Sequence, residues 1–243
     1  MNIKFIGTGT VGTVTRNNIG ILVDNILLDC GMGVIKQIER YGKQITDIKY
    51  LVITHFHGDH FFDIPNLLFG RWIRRESNEK LYIILPVTGR RKIINLMKFG
   101  FGNGNENAYE NIEEEFNLKF IEMDANETYN FEDGQITSVE LKHGDCIPNY
   151  GYLIKKNNIT IGYTGDTEIC DGFSKMCEQA DYMFAEATTL MPLDVNMHIA
   201  FEELKEFAEY YNKCKFYAVH RGDYNIQDRG QVNVPEDGDE III

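Results

Sequence analysis

Residues 50–60 read Tyr50-Leu51-Val52-Ile53-Thr54-His55-Phe56-His57-Gly58-Asp59-His60. The first five are apolar and β-branched with almost no interruption, the composition of a strand buried on both faces. That strand leads straight into three imidazoles and a carboxylate. Side chains two apart in extended chain point the same way, so His55 and His57 can share one metal ion. Asp59 and His60, past the Gly58 bend, face a neighbouring position. Burying four titratable groups without a metal is costly, so the cluster reads as a site for zinc, manganese or iron.

Outward from this stretch the chain alternates short apolar runs with turns. Strands are expected at Ile3 to Ile6, Ile19 to Val23 and Ile26 to Asp29, the last two joined by an Asp24-Asn25 turn. Further strands are expected at Leu81 to Leu85, Thr128 to Phe131, Gln135 to Leu141, Gly151 to Lys155, Ile159 to Tyr163, Tyr182 to Ala185 and Phe216 to Val219. Helices are expected over about Gly33–Tyr41, Thr88–Lys98, Asn105–Phe116 and Ile199–Asn212, with a flexible Gly/Asn loop from Gly100 to Asn105. Strands in both halves with helices between them predict sheets flanked by helices. No linker long enough to separate a pair of domains is evident, so one domain over residues 1–243 is expected.

Composition narrows the partners. Hydrophobic residues make up 43% of the 243, enough for a sizeable core, and 37 acidic against 24 basic residues give a net charge of -13. Such a charge repels nucleic acid and anionic membrane unless basic groups are locally concentrated. They are concentrated between Gly70 and Lys98, where eight basic residues face two acidic ones. This segment is either a solvated face or a docking surface for an anionic substrate, with Arg71, Arg74 and Arg75 at its head. Trp72, the sole tryptophan, is expected to pack. Five cysteines without a CxxC pair, and a start without signal-peptide character, suggest free thiols in a cytoplasmic protein. No apolar run is long enough to span a bilayer.

The remaining histidines, His143, His198 and His220, each fall at the end of an expected strand or the start of an expected helix, where side chains converge on a sheet edge. With the HxHxDH of residues 55–60, with Asp29-Cys30-Gly31 after the early hairpin, and with Tyr163-Thr164-Gly165-Asp166-Thr167, the sequence resembles the metallo-β-lactamase superfamily over nearly its whole length. The resemblance implies a four-layer αββα sandwich, an α/β fold of two mixed sheets flanked by helices. It also implies two divalent metal ions, zinc first and manganese or iron(II) otherwise: His55, His57 and His143 on one, Asp59, His60 and His220 on the other, and Asp166 on both.

Within the superfamily, residues 57–68 and Glu186-Ala187-Thr188 followed by His198 are similar to the ribonuclease Z-like phosphodiesterases. There the glutamate orients the histidine, which assists the leaving group or stabilises the phosphorane-like transition state. The resemblance thus assigns catalytic roles to Asp59, Glu186 and His198. Two departures stand out. Asp63 and Asn66 replace glycines of the pattern and are expected to narrow the pocket mouth or alter the following helix. No arm is inserted between His143 and Asp166, which argues, with the net charge, against transfer RNA. The expectation is a phosphodiesterase acting on a small anionic or phosphodiester substrate, RNA being disfavoured, with no membrane partner and with a homodimer possible. Hydrolysis of a carboxylic ester, lactone or thioester on the same fold is the alternative. An iron redox protein and a non-catalytic metal binder complete the readings, although the diiron oxygen reducers carry Glu where this chain has His57.

Overall fold

A computed structural model describes residues 1–74, 79–194 and 197–243. The chain divides into two compact units, one of residues 1–7, 18–123 and 238–243, the other of residues 8–17 and 124–237.

The first unit holds a mixed sheet, seven-stranded among the described residues. Strands β1 (Asn2–Gly7), β2 (Gly20–Val23) and β3 (Ile26–Leu28) run antiparallel, and β4 (Tyr50–Val52), β5 (Leu81–Pro86) and β6 (Leu118–Met123) continue parallel to β3. The C-terminal strand Glu240–Ile242 closes the other edge against β1. Every residue of β2, β3 and β4 is buried, as continuous apolar runs require when helices cover a sheet. The covering helices are α1 (Val34–Arg40), the single turn α2 (Gly58–Phe61), α3 (Ile64–Arg74), α4 (Gly89–Phe101) and the short α5 (Ile112–Glu115). On α3 the buried set Ile64, Leu67, Leu68 and Arg71 follows the i, i+3, i+4, i+7 spacing of one helix face.

The second unit holds a six-stranded mixed sheet among the described residues. Strands β7 (Thr128–Phe131), β8 (Gly134–Glu140), β9 (Tyr150–Lys156) and β10 (Ile159–Tyr163) form an antiparallel meander. Helix α6 (Asp171–Gln179) leads to β11 (Tyr182–Ala187), and α7 (Phe201–Tyr210) leads to β12 (Lys215–Arg221), both strands parallel to β10. Its core gathers Phe173, Met176, Met183, Phe201, Leu204 and Phe216.

Two expectations give way. The Asn105–Phe116 helix is confined to Ile112–Glu115, where Ile112 alone is buried: three adjacent glutamates and one apolar anchor provide little to hold a longer helix. The Gly100–Asn105 loop begins later, since α4 runs through Gly100 to Phe101, whose ring lies 4.6 Å from that of Phe69. Asp63, expected to narrow the pocket mouth or alter the following helix, is buried, its Oδ2 accepting the Ile35 backbone N–H at 2.8 Å and its Oδ1 accepting Asn66 Nδ2 at 2.7 Å. It ties the start of α1 to the start of α3. The five cysteines are free thiols, and among the described residues no helix is long and apolar enough to cross a membrane.

Candidate metal centre

In the first unit, β4 ends at Val52, and the chain then runs through Ile53 and Thr54 to carry His55 and His57 into α2. Asp29, at the end of β3 with φ 54°, organises this corner. Its Oδ1 accepts the Thr54 N–H and its Oδ2 accepts the Thr54 hydroxyl, both at 2.9 Å. That hydroxyl has spent its single proton, so the 3.1 Å contact from His55 Nδ1 has the imidazole as donor. His60 Nδ1 donates to Asp29 Oδ2 at 2.7 Å. Both rings are therefore held in the tautomer that offers Nε2. His55 and His57 bring ligand nitrogens within 4.8 Å of each other, as do Asp59 and His60 their ligand atoms. His57 is exposed while His55, Asp59 and His60 are buried.

In the second unit the parallel strands deliver the groups from their C-terminal ends. Asp166 follows β10 and is buried, its backbone carbonyl taken by Asn149 Nδ2 at 2.8 Å. Glu186 sits on β11 with no exposure, accepting the Thr167 N–H and the Thr188 hydroxyl, the latter at 2.6 Å. His220 is the extra residue of a bulge in β12, since Glu186 pairs with Val219 and Ala187 with Arg221, and its φ is 50°. A bulge re-aims one side chain of a strand. Here His220 Nδ1 comes to 3.2 Å from Asp166 Oδ1 and 3.0 Å from Thr188 Oγ1. His143 Nδ1 donates to the Met197 carbonyl at 2.8 Å, and its Nε2 lies 3.7 Å from Asp166 Oδ2.

His198 Nδ1 lies 2.9 and 3.0 Å from the two oxygens of Glu186. It does not cap its own helix: the Ala200 N–H at the start of α7 is taken by Glu203 at 2.9 Å. The segment before α7 is zipped to the one after β11 by Thr188 N to Ile199 O and Phe201 N to Thr189 O, which holds His198 over Glu186. Burial pushes the Glu186 carboxyl above its ordinary range, and the hydrogen bond from His198 pulls the other way.

The donor set fits divalent metal. Four imidazoles, His55, His60, His143 and His220, give Nδ1 to an oxygen acceptor and present Nε2, the arrangement in which an outer partner fixes ring orientation for a ligand. Asp166, His198 and His220 also offer ligand atoms within 4.8 Å of one another.

Each expected site residue thus falls in one of two clusters, one per unit. Asp29 and Thr54, which orient the first, and Asn149 and Thr188, which brace the second, are not marked as site residues by the sequence. Asp29 has a signal in its place beside the early hairpin. Asn149 has none.

The basic segment is a different matter. Arg71 is buried and donates to the carbonyls of Ile45, Thr46, Ile48 and Glu79 at 2.9 to 3.0 Å, so it is a structural residue. Arg74 pairs with Glu39, Lys92 lies over the Phe56 ring and Lys98 donates to the Glu106 carbonyl. Docking of an anion thus loses Arg71 and Arg74, and Arg75 lies outside the described residues. Trp72 is half-exposed. A cavity of about 650 Å³ in the second unit is lined by His143 together with Asn126, Lys142, Ile147, Ile169 and Lys175.

The family model described as "Anti-Pycsar protein Apyc1" matches residues 1–235. Ribonuclease Z of Pyrococcus abyssi is 25% identical, over 100% of this chain and 96% of that protein. Among solved structures, the metallo-β-lactamase fold protein YhfI from Bacillus subtilis matches with a TM-score of 0.77 at 18% identity, covering 99% of this chain and 98% of the other. The short form of human tRNase Z matches with a TM-score of 0.74 at 24% identity, covering 100% and 99%. The last two likenesses show the metallo-β-lactamase fold that the sequence led us to expect.

Proposed function

The chain belongs to the family described as Anti-Pycsar protein Apyc1, and from that premise we propose that it is a metal-dependent phosphodiesterase acting through a dinuclear centre. His55, His57 and His143 would hold one ion, Asp59, His60 and His220 the other, and Asp166 would serve both, zinc being the first candidate and manganese or iron(II) the others. Residues 1–243 form one hydrolase domain on this reading, which is supported by a family match that runs through both units. The observation that carries it is the shared tautomer: four ligand histidines each held at Nδ1 so that Nε2 is presented.

Divalent ions held by such a set would supply hydroxide at neutral pH by lowering the pKa of water towards ~7. The residues of the chain do the rest. Asp59 ligates and accepts the proton of the attacking group. His198, held at Nδ1 by the buried Glu186, is the group placed to give a proton from Nε2 to the departing oxygen.

A small substrate is favoured over a polymer. Only the β9–β10 hairpin and its flanking loops separate His143 from Asp166, the net charge is -13, and the cavity beside His143 falls in the ~300 to 1,000 Å³ range of small-molecule sites.

The test is hydrolysis of bis(p-nitrophenyl) phosphate by protein reloaded separately with zinc, manganese or iron(II), against a chelated control. Turnover that returns with metal and is abolished by Asp59→Ala is expected. Cleavage of p-nitrophenyl acetate alone would overturn the phosphodiester reading in favour of an ester hydrolase.

A further inference from the structure

In the second unit, a single atom of Thr188 reaches three of the groups just described. Its Oγ1 lies 2.6 Å from Glu186 Oε2, 3.2 Å from His198 Nδ1 and 3.0 Å from His220 Nδ1. A hydroxyl has one proton to give and two lone pairs to accept with. Of its two pure acceptors, Glu186 Oε2 at 2.6 Å and the His220 carbonyl at 3.3 Å, the carboxylate oxygen is much the nearer, so it takes the proton. The two imidazoles must then approach as donors: His220 through Nδ1–H, and His198 through an Nδ1–H shared between Thr188 and the Glu186 carboxylate.

Resting on the phosphodiesterase reading above, we propose that Thr188 is a positioning residue which fixes the Nδ1–H tautomer of the metal ligand His220 and, through the same hydroxyl, anchors the carboxylate that holds the acid His198. The metal-binding and proton-donating halves of the site are in this way braced by one oxygen. The backbone makes the position rigid, since Thr188 N donates to Ile199 O and Gly222 N donates to Thr188 O, both at 3.1 Å. The role needs a hydroxyl and little else: serine supplies it, whereas valine keeps the shape and removes both donor and acceptor.

The experiment compares Thr188→Val and Thr188→Ser with the parent on three readouts. These are kcat and KM for bis(p-nitrophenyl) phosphate, zinc affinity by competition with a chromophoric chelator, and the His220 tautomer from long-range proton–nitrogen-15 correlations. Loss of an outer partner of a metal-bound histidine typically costs ~10 to 100-fold in affinity or activity. Thr188→Val is expected to lower zinc affinity and kcat by roughly that factor, to leave KM near the parent value and to weaken the Nδ1–H signature. Thr188→Ser is expected to restore all three. If Thr188→Val folds poorly by circular dichroism, Thr188→Cys, which keeps the volume and weakens both hydrogen-bonding roles, takes its place. Parental zinc affinity and tautomer in the valine or cysteine variant would overturn the proposal. The zinc and tautomer readouts need no turnover, so an inactive parent would sink the phosphodiesterase reading alone.

Discussion

Asp29 Oδ2 lies 2.7 Å from His60 Nδ1, and solvent reaches neither side chain. The same carboxylate takes both hydrogen-bond donors of Thr54, whose hydroxyl in turn sets His55. One residue at the end of β3 therefore governs the orientation of two imidazoles that arrive from β4. Asp29→Asn turns an amide NH2 towards a donor in this network. It is expected to lower zinc affinity ~10 to 100-fold, read by chelator competition. Unchanged affinity would show that His55 and His60 hold their orientation without it.

Asp63 joins the start of α1 to that of α3. Asp63→Ala leaves the buried Ile35 N–H without its acceptor, at a cost of ~1 to 3 kcal/mol. The thermal midpoint is expected to fall by several degrees, at ~2 to 4 °C per kcal/mol for a chain of this size. Since Asp63 sits in the frame of the first unit, KM for bis(p-nitrophenyl) phosphate should hold at temperatures where the variant is folded.

Arg71 and Arg74 behave differently under substitution. Arg71→Met strips four backbone carbonyls of their donor and is expected to cost on the order of 3 kcal/mol in urea unfolding. Arg74→Glu exchanges a surface ion pair with Glu39 for a repulsion, which shifts stability by less than ~1 kcal/mol. Its KM should match the parent. A several-fold rise in KM for Arg74→Glu would revive the docking surface.

Glu240 ties the C-terminal strand to Lys43, Asn2 and Lys4, and those partners, Lys43 first, hold its carboxyl down at about 2. A carboxylate whose folded pKa is depressed contributes stability above its ordinary value, and that contribution fades as pH falls through the folded one. Glu240→Gln is therefore expected to lower the unfolding midpoint slightly at pH 7. The gap to the parent should narrow below about pH 4.5 and close near pH 2. A gap of constant size across that window would mean the carboxylate's charge is not what matters.

Much of this is legible in the sequence, for reasons specific to each segment. The apolar run before His55 and the turn-forming Asp24-Asn25 pair mark strands that the structure places at Tyr50–Val52, Gly20–Val23 and Ile26–Leu28, because burial on both faces and positive φ each leave a local compositional mark. Residues of α6 are harder. Phe173, Met176 and Cys177 form its buried stripe, but Asp171-Gly172 at its start reads as a turn, so no helix is expected there. Strand β6 mixes buried and exposed residues at the sheet edge, so neither a continuous apolar run nor a clean alternation announces it. Side chains that brace the histidines are hardest of all. Asn149 acts through a contact 17 positions away in sequence, and Thr188, although part of the Glu186-Ala187-Thr188 stretch, reaches His198 and His220 at 10 and 32 positions, relations that local patterning does not encode.

His220 sits in the left-handed region at φ 50°, where a β-carbon is unwelcome and glycine or asparagine would rest more easily. A non-glycine residue held there typically costs ~1 to 3 kcal/mol. Selection for a sturdier fold alone would therefore drift this position away from histidine, and the molecule would gain heat resistance by forgetting its chemistry. The residue's presence at a bulge that penalises it is the record of a trade in which durability was given up for reactivity.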